Sequence, residues 1–184
     1  MEPILTLPYS EWLVAEKLMK LLSARDGYSV YAPLSRQEKG VDLLVTRRSA
    51  GESRAASIQV KYSRAYEQRA GYRFGIWFKI FAIPKEADFI VFAALYPTTD
   101  GRGDRRRSSW WASVMLLFTQ EELAEFFASL RTRAGNPDRM FAFGFSTPDE
   151  IVLIRGTQDR TQPKFSSYLL DKRVAVIEKR LAAG

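Results

Sequence analysis

The chain is expected to fold as a single α/β domain spanning residues 1–184, a mixed β-sheet flanked by helices. Three observations lead to that class. A segment with helical periodicity near the N-terminus precedes a cluster of strand-like segments. A second helical segment lies between strands, and a third closes the chain. Within the cluster, "DFIVFAALYP" (88–97) is apolar almost without interruption, the pattern of a strand covered on both faces.

Taken in order, "SEWLVAEKLMKLLSAR" (10–25) predicts a helix with Ser10 as N-cap, a stripe through Val14, Ala15, Leu18 and Leu22, and a stop at Asp26-Gly27. "YSVYAPL" (28–34) reads as a strand. "VDLLVT" (41–46) and "ASIQVKY" (56–62) read as a hairpin turning at Ser49–Ser53. The basic, aromatic stretch 63–84 has no period that assigns it. Residues 97–109, "PTTDGRGDRRRSS", are loop by composition, and "WWASVMLLFT" (110–119) is a buried strand. Thr119 and Glu122 form a capping box for a helix over 119–133. "RMFAFGFS" and "DEIVLIRG" make two strands joined through Thr147-Pro148, and an amphipathic helix covers about 165–182. Trp110, Trp111, Phe141, Phe143 and Phe145 sit in strand-like runs and are assigned to the core.

Composition narrows the chemistry. With 46% hydrophobic and 27% charged residues the sequence belongs to a folded, soluble globule. No apolar run approaches the ~18 residues that span a bilayer, and "MEPILTLPYSEW" lacks a basic n-region and an apolar h-region, so a cytoplasmic protein with no membrane partner is expected. There is no cysteine, which excludes disulfides, thiolate metal sites and cysteine nucleophiles. There is no histidine either, which excludes a Ser-His-Asp triad and imidazole-held zinc. What is left is carboxylates, lysine, amides, hydroxyls and a hard metal ion.

The net charge of +7 is uneven: residues 61–110 hold ten Lys/Arg against five Asp/Glu. A local basic excess beside aromatic residues suits a phosphate backbone. Candidate nucleic-acid contacts are Arg64, Arg69, Arg73 and Lys79, interleaved with Tyr62, Tyr66, Tyr72 and Trp77, and the run Arg105-Arg106-Arg107 with Arg102. The first group either tracks a backbone and stacks on unpaired bases or covers the sheet with snorkelling arginines. The second either binds phosphate or is a solvated loop.

The hairpin carries the chemistry. Side chains alternate along a strand, so Gln59 and Lys61 project together while Ile58 and Val60 point the other way. A turn centred on Ala50-Gly51 makes paired positions sum to about 101, which sets Asp42 opposite Gln59. Glu11 precedes Ala15, Leu18 and Leu22 on the inward helical stripe, where a carboxylate needs a positive partner or serves the helix N-terminus. Glu16 falls on the polar side.

"SEWLVAEKL" ahead of "GVDLLVT" and "SIQVKYSR" resembles the core of the PD-(D/E)XK nuclease superfamily over residues 10–64. The family pattern is a helix acid, an acid at a strand start and an acid-x-Lys on the paired strand, which falls here on Glu11, Asp42, Gln59 and Lys61. Val41 stands where the family has proline, and Gln59 where it has the second acid. The resemblance implies a restriction-endonuclease-like fold and Mg²⁺-dependent (or Mn²⁺-dependent) cleavage of duplex or branched DNA, by a homodimer where both strands are cut. It implies Asp42 as principal metal ligand, helped by Glu11, the Gln59 side-chain oxygen and the Val60 carbonyl. Lys61 would orient the attacking water or stabilise charge on the phosphate. A nucleic-acid-binding module with a decayed site, or a protein-interaction domain using the aromatic second half, are the competing readings.

Overall fold

The computed structural model describes residues 9–33, 40–49, 51–68, 71–97, 111–158 and 162–182. Helix α1 (Tyr9–Leu21) buries Glu11, Val14, Ala15 and Leu18 on the expected stripe. It stops short of Arg25 because the Ser23 hydroxyl accepts from the Arg25 N–H and caps a separate 3-10 turn, Ala24–Asp26, ended by Gly27 in the left-handed region. Ser10 lies inside the helix and not at its cap.

The strands are β1 (Tyr28–Tyr31), β2 (Leu43–Ser49), β3 (Glu52–Glu67), β4 (Phe74–Lys79), β5 (Phe89–Pro97), β6 (Trp111–Thr119), β7 (Met140–Phe145) and β8 (Ile151–Arg155). The helices α2 (Gln120–Ser129) and α3 (Leu170–Ala182) complete the fold. A 3-10 turn, Ser166–Tyr168, precedes α3, so the final helix starts later than the sequence pattern suggests. The unassigned stretch 63–84 turns out to hold the end of β3 and all of β4. Alternation was hidden there because large aromatics occupy both faces.

Strand β3 is 16 residues long because two partners share it. Its first part pairs antiparallel with β2, Leu43 with Ile58 through Ser49 with Glu52. That leaves two residues to turn, and Gly51 takes φ 87°, which a side chain would resist. Its middle, Ile58–Arg64, pairs parallel with β5, and its end, Ala65–Glu67, pairs antiparallel with β4. One sheet therefore runs β1-β2-β3-β5-β6, and a second, β3-β4-β7-β8, branches from it.

Two cores follow from that branching. On one face of the first sheet, α1 and α3 pack an aliphatic core of Val14, Leu18, Leu43, Val45, Ile58, Val91, Leu117 and Ile177. On the other face the second sheet and α2 close an aromatic core of Phe74, Phe78, Phe92, Phe118, Phe126, Phe141, Phe143 and Phe145. Strand β5 lies between the two, which is why Phe89 through Ala94 are all buried. Thr119 and Glu122 make the expected capping box on α2, and the free oxygen of Glu122 accepts from Arg173 at 2.6 Å, tying α3 to α2. Among the described residues no helix is long and apolar enough to cross a membrane.

Candidate active site

A fork forms where β2 leaves β3 and β4 has not yet joined. Asp42 stands at the point of departure. Its N–H donates to the Ile58 carbonyl at 2.9 Å, the last backbone bond between the two strands there. One residue pair further, its carboxylate Oδ2 accepts the Val60 N–H at 2.7 Å, so a side chain takes the place of a strand carbonyl. Within a strand the N–H and C=O of one residue point to the same side. The Val60 carbonyl is thus turned toward the open edge beside Asp42.

Paired positions of β2 and β3 sum to 101, as the turn at Ala50-Gly51 implies, from Leu43 with Ile58 to Ser49 with Glu52; Asp42 precedes the first of these pairs and bonds back to the Ile58 carbonyl. Gln59 and Lys61 pair with Ile90 and Phe92 of β5 and share their side of the sheet, facing the aromatic core, while Ile58 and Val60 face the helices. Gln59 is buried, and its Oε1 has no hydrogen-bond partner. Gly40, at φ 91°, lets the chain pass close by: a Cβ there would lie 2.4 Å from Pro84 and 3.8 Å from Gln59 Nε2. The Lys61 ammonium lies 4.6 Å from the centre of the Phe81 ring and has no carboxylate partner among the described residues. Glu11 is buried in the first turn of α1, which packs on the face of the first sheet opposite the one that carries Gln59 and Lys61, whereas Glu16 pairs with Lys20 on the outer face.

A buried carbonyl oxygen with no donor costs free energy comparable to a lost hydrogen bond. Gln59 Oε1, the second oxygen of Asp42 and the Val60 carbonyl are all oxygen donors, the type that a hard cation such as Mg²⁺ accepts, so the residues fit such an ion in chemistry. Among the described residues no group of three or more Asp or Glu side chains is placed to hold a metal ion.

The basic residues divide. Arg64 and Lys79 are exposed on β3 and β4. Arg73 is exposed at the entry to β4, its guanidinium 5.0 Å from the Phe74 ring centre and its N–H bonded to the Ser146 hydroxyl. Arg69, Arg102, Arg105, Arg106, Arg107 and Trp110 lie outside the described residues. Phe141, Phe143 and Phe145 are core, as expected.

Two groups escaped the sequence reading. Phe81, under the Lys61 ammonium, sits in the stretch that no periodicity assigned. Asp88 accepts from the Ser57 N–H at 2.8 Å and from its hydroxyl at 3.0 Å, fixing β3 against the start of β5, and also takes Arg180. An acid one residue before an apolar strand was the available signal.

A titratable pair also sits in the second sheet. Asp138 is buried and accepts twice from Arg155, which holds its carboxyl below the usual range against the upward push of burial. A depressed carboxylate stabilises the fold above its unfolded pKa, near 3.9, and that contribution disappears as pH falls through the lower folded value. Urea unfolding should therefore show Asp138→Asn costing clearly more at pH 7 than at about pH 3; an equal cost at both values contradicts the assignment.

No protein-family model matches this chain, and no curated protein does. Among solved structures it is similar to a bacterial homing endonuclease, I-Ssp6803I, with 13% sequence identity over 92% of this chain and 90% of that one, at a TM-score of 0.43.

Proposed function

We propose that this chain is a metal-dependent nuclease that hydrolyses DNA phosphodiester bonds, a PD-(D/E)XK enzyme with glutamine in place of the second acid. The observation that carries the reading is the set of groups at the fork of β3: a carboxylate, a backbone carbonyl, and an amide oxygen and an ammonium that have no hydrogen-bond or carboxylate partner among the described residues.

Asp42, the Gln59 oxygen, the Val60 carbonyl and Glu11 would hold Mg²⁺ or Mn²⁺, which when bound would neutralise phosphate charge and activate water near neutral pH. Asp42 is preorganised for holding it, because the bond from Val60 N–H fixes its carboxylate in place. Lys61 brings three N–H donors and a full positive charge to the same side, where they would orient the water and meet charge developing on the phosphate. Phe81 beneath it limits the ammonium's travel. Gln59 contributes an oxygen but no charge, so the site would bind its ion more weakly than one with two strand acids. Cutting both strands of a duplex with one such site per chain calls for two copies.

Calorimetric titration with Mn²⁺ tests the reading. The native chain should bind in the micromolar to millimolar range, and Asp42→Asn should bind at least tenfold more weakly with its circular dichroism unchanged. Equal binding by both rejects Asp42 as the principal ligand.

A further inference from the structure

The outward face of the second sheet carries a pattern that the cleavage site does not use. Along β3 the residues alternate, Ala65 turning to the aromatic core while Tyr62, Arg64 and Tyr66 turn to solvent. Tyr62 is 43% exposed and Tyr66 54%. Strand β4 continues the face. Tyr66 pairs with Gly75, and the next outward residues of β4 are Trp77 and Lys79. Trp77 is half-buried; between it and Tyr66 the Gln68 amide lies over Gly75, 2.7 Å from where a side chain there would begin, with the Trp77 indole Nε1 at 3.4 Å. Beyond it lies a cavity of about 340 Å³ lined by Trp77, Arg131, Arg133 and Arg155. The carboxylate in that cavity, Asp138, is already neutralised by Arg155.

Rings interleaved with cations on an open strand face suit one kind of partner. In a duplex the bases stack on one another at ~3.4 Å per nucleotide along each strand, which leaves no base face for a tyrosine. Outward residues of β3 are spaced ~6.7 Å apart, wide enough for splayed bases to lie on rings with phosphates near Arg64 and Lys79. Exposed aromatic side chains beside a basic groove are how proteins hold unpaired strands. Protein interfaces share the enrichment in tyrosine, tryptophan and arginine but are depleted of lysine, so Lys79 and the neighbouring arginine-lined cavity favour a phosphate-bearing partner.

From this arrangement we infer that the face built by Tyr62, Arg64, Tyr66, Trp77 and Lys79 is a stacking platform for unpaired DNA. Tyr62 follows Lys61 in β3 but turns to the opposite face, so the platform lies across the sheet from the ammonium and binds independently of the proposed cleavage site.

Fluorescence anisotropy in EDTA, where no metal-dependent cleavage occurs, separates the two. The probes are a labelled oligothymidylate of about 15 nucleotides and a duplex of the same length, within the ~4–16-nucleotide site sizes of such surfaces. Oligothymidylate should bind about tenfold tighter than duplex. Tyr62→Ala and Tyr66→Ala should each weaken it by about 5- to 100-fold, a stacked base per ring, with duplex binding unchanged and with Tyr66→Phe behaving as native. Asp42→Asn should bind it as the native chain does. Duplex binding as tight as oligothymidylate, or alanine variants that bind it normally, would overturn the platform. Absence of metal-dependent cleavage alongside intact oligothymidylate binding would instead count against the nuclease reading alone.

Discussion

Lys61→Ala and Asp42→Ala should each slow metal-dependent nicking of plasmid DNA by about 10²- to 10⁴-fold, the usual worth of a positioned proton-handling or charge-stabilising group. The two losses have different origins. Lys61 carries an ammonium with no carboxylate beside it among the described residues, and its removal would take charge from where, on the proposed reading, the phosphate becomes more negative. Asp42 accepts the Val60 N–H and, on the proposed reading, would also offer its free oxygen to the ion. Its alanine variant therefore strands a backbone donor as well, at about 1–3 kcal/mol, whereas asparagine keeps an acceptor there and isolates the charge. Comparing the two variants by nicking rate and by thermal unfolding tells chemistry from structure. Undiminished cleavage by either Lys61→Ala or Asp42→Asn would remove that residue from the catalytic set.

The largest stability effect is expected at Phe92. It is fully buried and meets Phe78, Phe118 and Phe141 edge-on at 4.7, 5.6 and 5.4 Å, with Phe81 at 6.1 Å. Truncation to alanine should cost about 3–5 kcal/mol, since several rings lose a partner and β5, buried on both faces, has little room to collapse. For a chain of this length that corresponds to a melting temperature lower by roughly 6–20 °C. Calorimetry showing a drop of only a degree or two would mean that the aromatic core repacks freely. The same variant bears on the fork, because Phe81, which supports the Lys61 ammonium, rests against Phe92.

The difference between what the residues announced and what they hid is physical. The hairpin was legible because its turn is two residues long and its faces differ in polarity, so the position of Gly51 sets the register, Leu43 with Ile58 through Ser49 with Glu52, and with it the shared face of Gln59 and Lys61. Strand β5 was legible from its unbroken apolar run, and α2 from its capping box. In the second sheet β7 and β8 were legible as apolar strands, but β4 was not. Phe74, Ile76 and Phe78 alternate with Gly75, Trp77 and Lys79, and a tryptophan on the outer face erases the period that marks a half-buried strand. Nor does any local pattern say that one strand serves two partners, which depends on where β2 stops. The role of Gln59 was readable as a substitution; that its oxygen lacks a donor needed the packed neighbours.

A strand common to two sheets imposes parity on the gene. Loss or gain of one codon between Ile58 and Ala65 would rotate the downstream half by a full face, sending Ala65 out to water and Tyr66 into the phenylalanines, while every upstream contact stayed intact. Two codons would restore the alternation and merely widen the gap between the branches. Length drift in this protein should be even-numbered here, and any homologue that changes the opening of the fork should do so by pairs.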